Sequence, residues 1–525
     1  MGKNIETTIN RFDGGIVNDA RDLAMNSARI ISNFDIITNV RKMTPYRSSE
    51  SGDDAPTTSR KQNFCIALRT GTTYSIYALG VVSGQSYAEV LYKNLTTGAA
   101  NDLDDNAWAA TANNQSASGA ASMNCFIYYA KTGLIYGGRS SRYVWAYDPS
   151  GVATFADTHV DLTSFTNIGQ GLIHSKDDIL YIPYDNKIMS KNGSAAATVA
   201  ALTLPTHYVI SSICEYGNYL AIACSPLSGI GNSRVYLWDR DSTLTTLNES
   251  IDWGVGTLKI LEEIDGDLVG ISQLGGASTG GIPTVATTSF RDKIIFRRLI
   301  GSQALKFLEV QANHAGSANT LLLPNYKQKV DNRLFFQMLI ELNGSVRDGL
   351  WSIGRSTFNG NLVLIHELST NNNTGLTTSD NVTGFFSIGS FFFQSYISGG
   401  SYALTKTDDG STYSHNSVYE SKIFNGGDPS AYKDLIEITV TTEYMPTAGQ
   451  ITLAYRTDQN TEWTTIFTNT TDNSISHTAN NIESSGAPLP KYYKEIQFRI
   501  LSTGGAEVTG LLFKEDITGR KFNVA

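Results

Sequence analysis

The sequence predicts an all-β protein, with a β-propeller of about seven blades, an N-terminal turn-helix-hairpin arm and a C-terminal antiparallel β-sandwich. Three observations lead to this prediction. Helical periodicity is nearly absent after about residue 35. Short apolar strands separated by Gly, Asn or Asp turns recur at a period of roughly 40–50 residues, as propeller blades do. The C-terminal stretch instead alternates between apolar and polar positions, which is typical of half-buried strands.

The clearest repeat spans residues 207–247, where VISSICEY turns at Gly217-Asn218 into YLAIACS and RVYLWDR follows. Both YVWAYDPSG and VYLWDRDST place a Trp and an Asp just before a turn, as corners between the third and fourth strands of a blade often do. The uneven spacing also allows six or eight blades, and a large sandwich or a stack of small β domains is the alternative fold. Related repeats lie at 64–94, 124–151, 171–194, 258–274, 330–355 and 384–410.

The segment KTDDGSTY at 406–413 resembles the Asp box of propeller hairpins, whose usual role is to shape a turn. Lys406 replaces the usual Ser, and Tyr413 stands in for Trp. The matching residues of this propeller turn are Asp408, Gly410, Thr412 and Tyr413.

Near residue 415 the pattern changes to strict alternation, in LIEITVTTEY (435–444), ITLAYR (451–456) and KEIQFRI (494–500). Strands with one apolar face and polar turns between them predict an antiparallel sandwich, with Trp463 and Phe513 in its core. The predicted organisation is therefore an arm and linker at 1–62, a propeller at 63–414 and a sandwich at 415–525.

Composition limits the function classes. The net charge is −9, which argues against a surface that holds nucleic acid by neutralising phosphates. The four cysteines are too few for a disulfide framework, and reduced core thiols are expected. No secretory signal is visible at MGKNIETTIN, and no apolar run is long enough to span a bilayer. The chain is expected to be soluble and made in the cytoplasm.

No catalytic, cofactor-binding or metal-binding constellation can be assembled from the sequence. The seven histidines are scattered, and HELST at His366 lacks the second His that a zinc-protease motif needs. No nucleophile elbow, phosphate-binding loop or dinucleotide fingerprint is present. These observations predict that the chain is not an enzyme and needs no cofactor.

The segment FDGGI, followed by NSARIISNFDI and a closing PYR, resembles the N-terminus of tailed-phage tail proteins, in particular nozzle or hub proteins of short-tailed phages. The C-terminal segments from YESKIFNGGD to YKEIQFRI resemble sandwich modules of phage virion proteins. The resemblance covers about 40 residues at the front and about 100 at the back. It implies a structural virion protein in a hexameric ring that closes the distal tail, gates DNA ejection and is assembled in the host cytoplasm.

The resemblance also implies partners: other copies of the chain, an adaptor, tail fibres, and double-stranded DNA that passes without specific binding. Two other functions stay open. One is a tail-tip module that binds a receptor or a host-surface glycan, and the other is a carbohydrate-active propeller enzyme.

The opening segment is predicted to be an assembly arm. Gly14-Gly15 makes a tight turn. Asp19 caps a helix with Leu23, Ser27, Ile30, Ile31 and Phe34 on one face, and Thr38-Asn39 turns a short hairpin at 34–43. An arm that docks onto a neighbouring subunit is favoured, and a helical plug under the chain's own propeller is the alternative. The arm residues are Phe12, Gly14, Gly15, Leu23, Ile30, Ile31, Phe34, Pro45 and Arg47.

Overall fold

The structure is a computed structural model of the 525-residue chain. Within the residues that it describes, every regular element is a β-strand, so the prediction of an all-β protein is confirmed. The described residues are 4–12, 15–16, 28–36, 41–45, 48–49, 60–70, 73–82, 88–96, 109–115, 125–138, 142–150, 155–227, 231–241, 249–274, 292–312, 322–342, 345–355, 361–369, 381–388, 391–398, 401–407, 416–458, 460–480 and 488–519.

The chain divides into two compact units. One, which we call the terminal unit, combines Met1–Glu50, Trp351–Thr374 and Thr407–Ala525. The other, which we call the repeat unit, combines Ser51–Leu350 and Gly375–Lys406. The N-terminal segment and the C-terminal sheets therefore belong to one unit, whereas the predicted organisation listed them as separate domains.

The part of the predicted helix that the structure describes, residues 28–34, lies in or between strands. Ile30 and Ile31 lie in a strand, so the helical interpretation is wrong for them; Leu23 lies outside the described residues. The strands at 34–35 and 44–45 pair with each other, close to the predicted hairpin. These five strands are β1 (Asn4–Ile9), β2 (Ala28–Ser32), β3 (Phe34–Asp35), β4 (Thr44–Pro45) and β5 (Ser48–Ser49).

Five four-stranded sheets follow in order along the repeat unit, and in each sheet consecutive strands are neighbours. This antiparallel meander is the strand order of a propeller blade. Their strands are β6 (Arg60–Thr70), β7 (Thr73–Val82), β8 (Ala88–Thr96), β9 (Ala109–Gln115), β10 (Phe126–Tyr129), β11 (Leu134–Gly138), β12 (Tyr143–Tyr147), β13 (Phe155–Asp161), β14 (Leu172–His174), β15 (Ile179–Tyr184), β16 (Lys187–Lys191), β17 (Thr198–Thr203), β18 (Tyr208–Tyr216), β19 (Tyr219–Pro226), β20 (Asn232–Trp238), β21 (Glu249–Val255), β22 (Thr257–Ile264), β23 (Asp267–Leu274), β24 (Asp292–Ile300) and β25 (Gln303–Ala312).

Two further groups of strands complete this part of the chain. In the first group β26 pairs with β27, and in the second β31 lies between β30 and β32. The strand at 345–355 runs across the sequence boundary between the two units, and the one at 362–369 belongs to the terminal unit. The strands are β26 (Leu322–Val330), β27 (Arg333–Leu342), β28 (Ser345–Arg355), β29 (Leu362–Ser369), β30 (Asn381–Ile388), β31 (Phe391–Ser398) and β32 (Ser401–Thr407).

The core of the repeat unit lies between consecutive sheets. Each of three clusters of buried apolar side chains takes its members from two neighbouring sheets. The first joins the sheet of β10–β13 to that of β14–β17, the second joins β14–β17 to β18–β21, and the third joins β18–β21 to β22–β25. Trp145 in β12 and Trp238 at the end of β20 are fully buried in third strands, where the repeat pattern placed them. A side chain at Gly137 would collide with the Trp145 ring, since a Cβ there would lie 1.9 Å from it.

Polar side chains also join the first strands of neighbouring sheets. The Ser212 hydroxyl of β18 bridges to the backbone of Leu261 in β22. Lys327 of β26 donates hydrogen bonds to the carbonyls of Ile213 and Leu261 and forms a 2.8 Å ion pair with Glu262. One ammonium group thereby ties together β18, β22 and β26.

The basic segment at 292–300 forms β24, which is an inner strand because it pairs with β23 on one side and β25 on the other. Its basic side chains are used within the unit: Arg298 lies 3.6 Å from Asp267, and Arg297 donates to the carbonyl of Val255.

The terminal unit contains two layers of strands. In one, β29, β2, β33, β38, β35 and β36 are successive neighbours, and in the other the order is β1, β39, β34, β37. Both layers therefore include strands from the two ends of the chain. The last seven strands are β33 (Ser417–Ser421), β34 (Tyr432–Thr442), β35 (Gln450–Thr457), β36 (Thr464–Asn469), β37 (Ser476–Asn480), β38 (Ile496–Thr503) and β39 (Val508–Gly519).

The alternating pattern at 435–444 is interrupted in the structure. Ile438 and Val440 are buried as predicted, but Ile436 and Tyr444 are exposed. The register between β34 and β39 shifts between residues 435 and 437, and such a bulge moves side chains to the opposite face. Phe513 lies in the core as predicted, at 1 % exposure.

The described cysteines Cys125, Cys214 and Cys224 are buried free thiols. Cys214 and Cys224 belong to different apolar clusters, so they do not meet across their hairpin. Burial raises the pKa of each thiol, which holds it in the unreactive protonated form.

Candidate functional site

The described residues of the predicted arm lie inside the terminal unit. Phe12, Ile30, Ile31 and Phe34 are at most 2 % exposed, and Pro45 is also buried. They are covered by their own chain because β2 lies between β33 and β29. Their predicted role in docking to a neighbouring subunit stays a prediction.

At Gly15 the structure confirms that a side chain would not fit, as the glycine pair predicted. Its φ is +66°, and an added Cβ would lie 2.6 Å from the Cβ of Val363. The tight turn therefore needs a residue without a side chain. Gly14, Leu23 and Arg47 of the predicted arm lie outside the described residues, as do all four residues of the Asp-box-like turn, Asp408, Gly410, Thr412 and Tyr413.

Asn33 joins three strands of the terminal unit from a left-handed turn directly after β2. Its side chain accepts the N–H of Ser369 at 2.8 Å and donates to the carbonyl of Asn416 at 2.9 Å. Its own carbonyl accepts the hydroxyl of Ser417 at 2.8 Å. An Asn tolerates the φ of +61° better than most residues, and this one is fully buried.

A cleft of about 210 Å³, lined by both charged and apolar side chains, opens beside these strands within the terminal unit. Arg29 of β2, Arg456 of β35 and Gln497 of β38 line it, together with Asp458 and Glu495. Arg456 and Gln497 are direct cross-strand partners. Side chains that project from adjacent strands on one face are held at fixed spacing by the sheet.

Gln497 organises the two arginines of the cleft. Its side chain is 2 % exposed, and its Oε1 accepts hydrogen bonds from Arg456 Nε at 2.8 Å and Arg29 Nη1 at 3.4 Å. The amide end is fixed because its nitrogen donates to the carbonyl of Ser421. A buried amide with both ends bonded holds its rotamer, so the two guanidinium groups are positioned in advance of any ligand.

The Trp463 ring also restrains arginine side chains beside the cleft. The guanidinium carbons of Arg456 and Arg499 lie 4.6 Å and 4.2 Å from the centre of the Trp463 ring. Arg499 also donates through Nε to the buried Glu420 at 2.9 Å. The prediction that Trp463 fills the sandwich core is wrong: its ring packs against cations at the sheet face, an arrangement that contributes roughly 0.5–2 kcal/mol per contact.

The loop after β35 supplies acceptors and donors to the cleft. Asp458 has a φ of +49°, and its Oδ1 accepts the N–H groups of Lys494 and Glu495 at 2.9 and 3.1 Å. Asn460 and Thr461 follow it and are exposed. The cleft is thus lined by two cations, two carboxylates, neutral polar groups and the apolar residues Ile423 and Ile496.

The surroundings of Arg29 change its pKa. Burial lowers the pKa of its guanidinium below the usual value; Glu420 opposes this effect, and Arg499 adds to it. Although the group remains charged, the lowered pKa means that its charge is incompletely compensated. An anionic ligand group beside Arg29 would therefore be favoured.

The repeat unit contains a polar network of a different kind. The Nε2 of the buried His174 accepts a hydrogen bond from Arg240 Nη1 at 2.9 Å, and Arg240 forms a 2.7 Å ion pair with Asp177. Burial and then Arg240 lower the pKa of His174, which favours the neutral imidazole. The Tyr181 hydroxyl also bonds to Asp177, at 3.1 Å. Each of these side chains is hydrogen-bonded to another member of the network. The network therefore stabilises the turn between β14 and β15.

No group of three or more His, Cys, Asp or Glu side chains in the described part of the chain is placed to hold a metal ion. Among the same residues there is also no helix with the length and apolarity needed to cross a bilayer.

Sequence reasoning missed the cleft because its residues come from positions 29, 423, 456, 458, 460–461 and 495–497, which no local pattern connects. One sequence signal pointed to part of the cleft: Arg456, Gln497 and Arg499 occupy polar positions in strands whose residues alternate between apolar and polar. The alternation predicted that these side chains share one face, but not that Arg29 would join them.

The chain matches no protein-family model and no curated protein sequence. Among solved structures it is similar to the β-propeller domain of the Trilobed protease from Pyrococcus furiosus, with 11 % identity, 67 % of this chain and 97 % of that chain covered and a TM-score of 0.37. It is also similar to a fructofuranosidase from Schwanniomyces occidentalis, with 8 % identity, 89 % of this chain and 96 % of that chain covered and a TM-score of 0.28. A third similar structure is a puromycin-hydrolysing peptidase from Mycobacterium tuberculosis, with 11 % identity, 72 % of this chain and 60 % of that chain covered and a TM-score of 0.38.

These comparisons contradict the prediction that the chain is not an enzyme, because the matched proteins include a fructofuranosidase and a peptidase. That prediction is withdrawn. TM-scores between 0.28 and 0.38 assign neither activity to this chain.

Proposed function

We propose that the chain is a structural protein of a tailed-phage virion and forms a ring of nozzle or hub type at the distal end of the tail. The observation that supports this most directly is which segments of the chain form the terminal unit. The two stretches that resemble phage tail proteins, at 11–47 and in the C-terminal region, belong to one folded unit, in which β2 pairs with β33 and β1 with β39. A resemblance confined to one unit is what a shared module would produce.

The repeat unit is proposed to be a seven-bladed propeller. Its blades are the five four-stranded sheets, the sheet begun by β26 and β27, and the sheet of β30, β31 and β32. Successive first strands contact each other from β18 through β22 and β26 to β30, and β30 contacts β6, the first strand of the first sheet. Contact between the last and the first sheet is the condition for a closed ring of blades.

Contacts between copies are proposed to use exposed apolar side chains of the terminal unit. Tyr444 is 72 % exposed, Tyr492 66 % and Ile475 53 %. Tyr444 and Ile475 lie near each other, because the N–H groups of residues 442 and 445 bond to carbonyls at 475 and 474. Large exposed apolar groups that lie together commonly mark protein contacts.

The net charge of −9 suits a channel through which DNA passes without being held, since binding would need neutralisation of phosphates. An adaptor above the ring and tail fibres beside it are the expected partners. A receptor- or glycan-binding role at the tail tip is the second candidate, and it is favoured by the cleft of the terminal unit.

Assembly of the purified full-length chain tests the proposal. Mass photometry and negative-stain electron microscopy should show closed rings of about six copies with a central channel. The double variant Tyr444→Ser and Tyr492→Ser should shift the population towards monomers by about tenfold or more, because two contact side chains are lost. Leu227→Ser, at an exposed residue of the repeat unit, is the matched control and should leave the rings intact.

The virion proposal would be overturned if the chain remains monomeric at tens of micromolar and is absent from phage particles made in cells that express its gene. Rings that dissociate with Leu227→Ser but not with the tyrosine variants would overturn the assignment of the contact to the terminal unit.

A further inference from the structure

The cleft of the terminal unit has a cation with unused hydrogen-bonding capacity. A guanidinium group carries five N–H donors, yet among the described residues Arg29 makes one hydrogen bond, the 3.4 Å contact with Gln497. Its pKa is lowered by burial, so water compensates the charge only in part. The remaining donors lie at the wall of the cleft, where a ligand can reach them.

The polar groups around Arg29 limit what this ligand can be. Asp458 and Glu495 bring two negative charges to the lining, which balance Arg29 and Arg456. A phosphate-rich polymer needs an excess of positive charge, and this lining has none. A wholly neutral ligand would not interact with the charge of Arg29, which is partly buried and is offset by Glu420 only in part. The best match therefore carries one anionic group together with several hydroxyls.

We propose that the cleft binds a carboxylated sugar residue of an acidic glycan. The sugar carboxylate accepts hydrogen bonds from the free guanidinium donors of Arg29, in the paired geometry that Arg and carboxylate favour. Sugar hydroxyls bond with the carboxylates of Asp458 and Glu495 and with the polar side chains of Asn460 and Thr461.

Size and rigidity both support this ligand class. The cleft volume of about 210 Å³ lies below the roughly 300–1,000 Å³ typical of sites for drug-sized ligands, so it takes a single small unit. Gln497 fixes both arginines from behind, and Trp463 holds Arg456 by its ring face. Since the donors are already positioned, little side-chain entropy is lost on binding.

The experiment is a ligand-observed NMR titration of the full-length chain with four probes: glucuronate, glucose, acetate and a hyaluronan tetrasaccharide. Glucose keeps the ring and hydroxyls but lacks the carboxylate, and acetate keeps only the carboxylate. Glucuronate should bind at least tenfold more tightly than either, and the tetrasaccharide at least as tightly as glucuronate. Raising the salt concentration should weaken binding of both acidic sugars.

Arg29→Gln removes the charge while keeping a polar side chain of similar length, and it should weaken glucuronate binding by about tenfold or more. Arg142→Gln is the matched control, because Arg142 is an exposed arginine paired with Asp161 in the repeat unit. Thr461→Trp is a second variant that fills the cleft from an exposed loop position, so it tests the site even if Arg29→Gln fails to fold.

Equal binding of glucose and glucuronate, or binding of acetate as tight as glucuronate, would overturn the proposal. It would also be overturned if Arg29→Gln folds and binds normally, or if Thr461→Trp binds normally. Binding of glucuronate but not of the tetrasaccharide would exclude a glycan as the ligand. The inference does not depend on the virion proposal, because ring formation and sugar binding are measured separately.

Discussion

At the scale of single residues, the terminal unit contains a buried charged group that hydrogen bonding satisfies only in part. Glu515 is fully buried; its Oε1 accepts the Tyr493 hydroxyl at 2.7 Å, and its Oε2 has no hydrogen-bond partner among the described residues. The nearby Lys433 donates to three backbone carbonyls, at 2.9 to 3.0 Å. Burial raises the pKa of Glu515 above its usual 4.5, although Tyr493 and Lys433 oppose the rise.

This raised pKa predicts how stability depends on pH. The folded chain binds the Glu515 proton more tightly than the unfolded chain, so the free energy of unfolding should fall as pH rises from about 4.5 through the folded pKa. Glu515→Gln should remove this decrease and be at least as stable as the wild type at pH 7. Urea unfolding of both proteins between pH 4.5 and pH 7.5 measures the difference.

Tyr493→Phe serves as the check on this prediction. It removes the hydrogen bond that stabilises the ionised carboxylate, so its stability should fall more steeply with pH than that of the wild type. Parallel pH profiles for the wild type and Glu515→Gln would contradict the proposed cause.

Single residues also show where sequence patterns stop being informative. Alternation placed Ile438 and Val440 in the core correctly, because a regular strand turns every second side chain to one face. It failed at Ile436, where a bulge shifts the register, and at Trp463, whose ring packs on two guanidinium groups. A bulge and a cation–π contact depend on partner strands that the local sequence does not reveal.

At the scale of elements, the first strands of neighbouring sheets are tied by Lys327. Its ammonium group contacts β18 and β22 from β26 and is 11 % exposed. Lys327→Met should leave Glu262 without its counter-charge and should remove one donor from each of the carbonyls of Ile213 and Leu261. The expected loss is about 2–4 kcal/mol of unfolding free energy, measured by chemical denaturation.

The matched control is Lys329→Met, two residues along the same strand. Lys329 forms a 2.6 Å ion pair with Glu263, but its side chain is 33 % exposed and water competes for both charges. Its removal should cost less than about 1 kcal/mol. Similar losses for the two variants would show that the three-strand contact of Lys327 does not stabilise the unit.

Strand prediction succeeded for elements with one buried face and failed for β2. The apolar run at 30–31 fits the spacing of a helical face, and it was interpreted as a helix. In the structure β2 lies between β33 and β29 and is buried nearly throughout. A central strand buried on both faces has no alternation to distinguish it from a buried helix.

At the scale of the whole molecule, the organisation of the terminal unit could not be predicted from local sequence. Residues 51–350 separate its first segment from the other two, and the contacts that join them, such as Asn33 to Ser417, are not encoded in any short pattern. The candidate cleft shares this property, because Arg29 comes from the first segment and the other lining residues come from the last. The repeat period, in contrast, is local and was visible.

Removal of residues 1–36 tests this organisation. The truncated chain loses β1, β2 and β3, so β33 and β39 each lose a paired neighbour. Hydrogen-exchange mass spectrometry should show fast exchange at 417–421 and 508–519, with β18 to β20 still protected. Unchanged protection at 417–421 would contradict the central position of β2. Because this truncation unfolds part of the chain, assembly is better tested with the surface tyrosine variants.

The pairing of the two chain ends has a consequence during synthesis on the ribosome. Asn33 is followed by 384 residues before its partner Ser417 is made, which takes about 20–80 s at roughly 5–20 residues per second. Throughout that interval the newly made β2 exposes unpaired backbone and the apolar side chains of Ile30 and Ile31. The sheets of the repeat unit can form in the meantime, so the first part of the chain to emerge is among the last to reach its final structure.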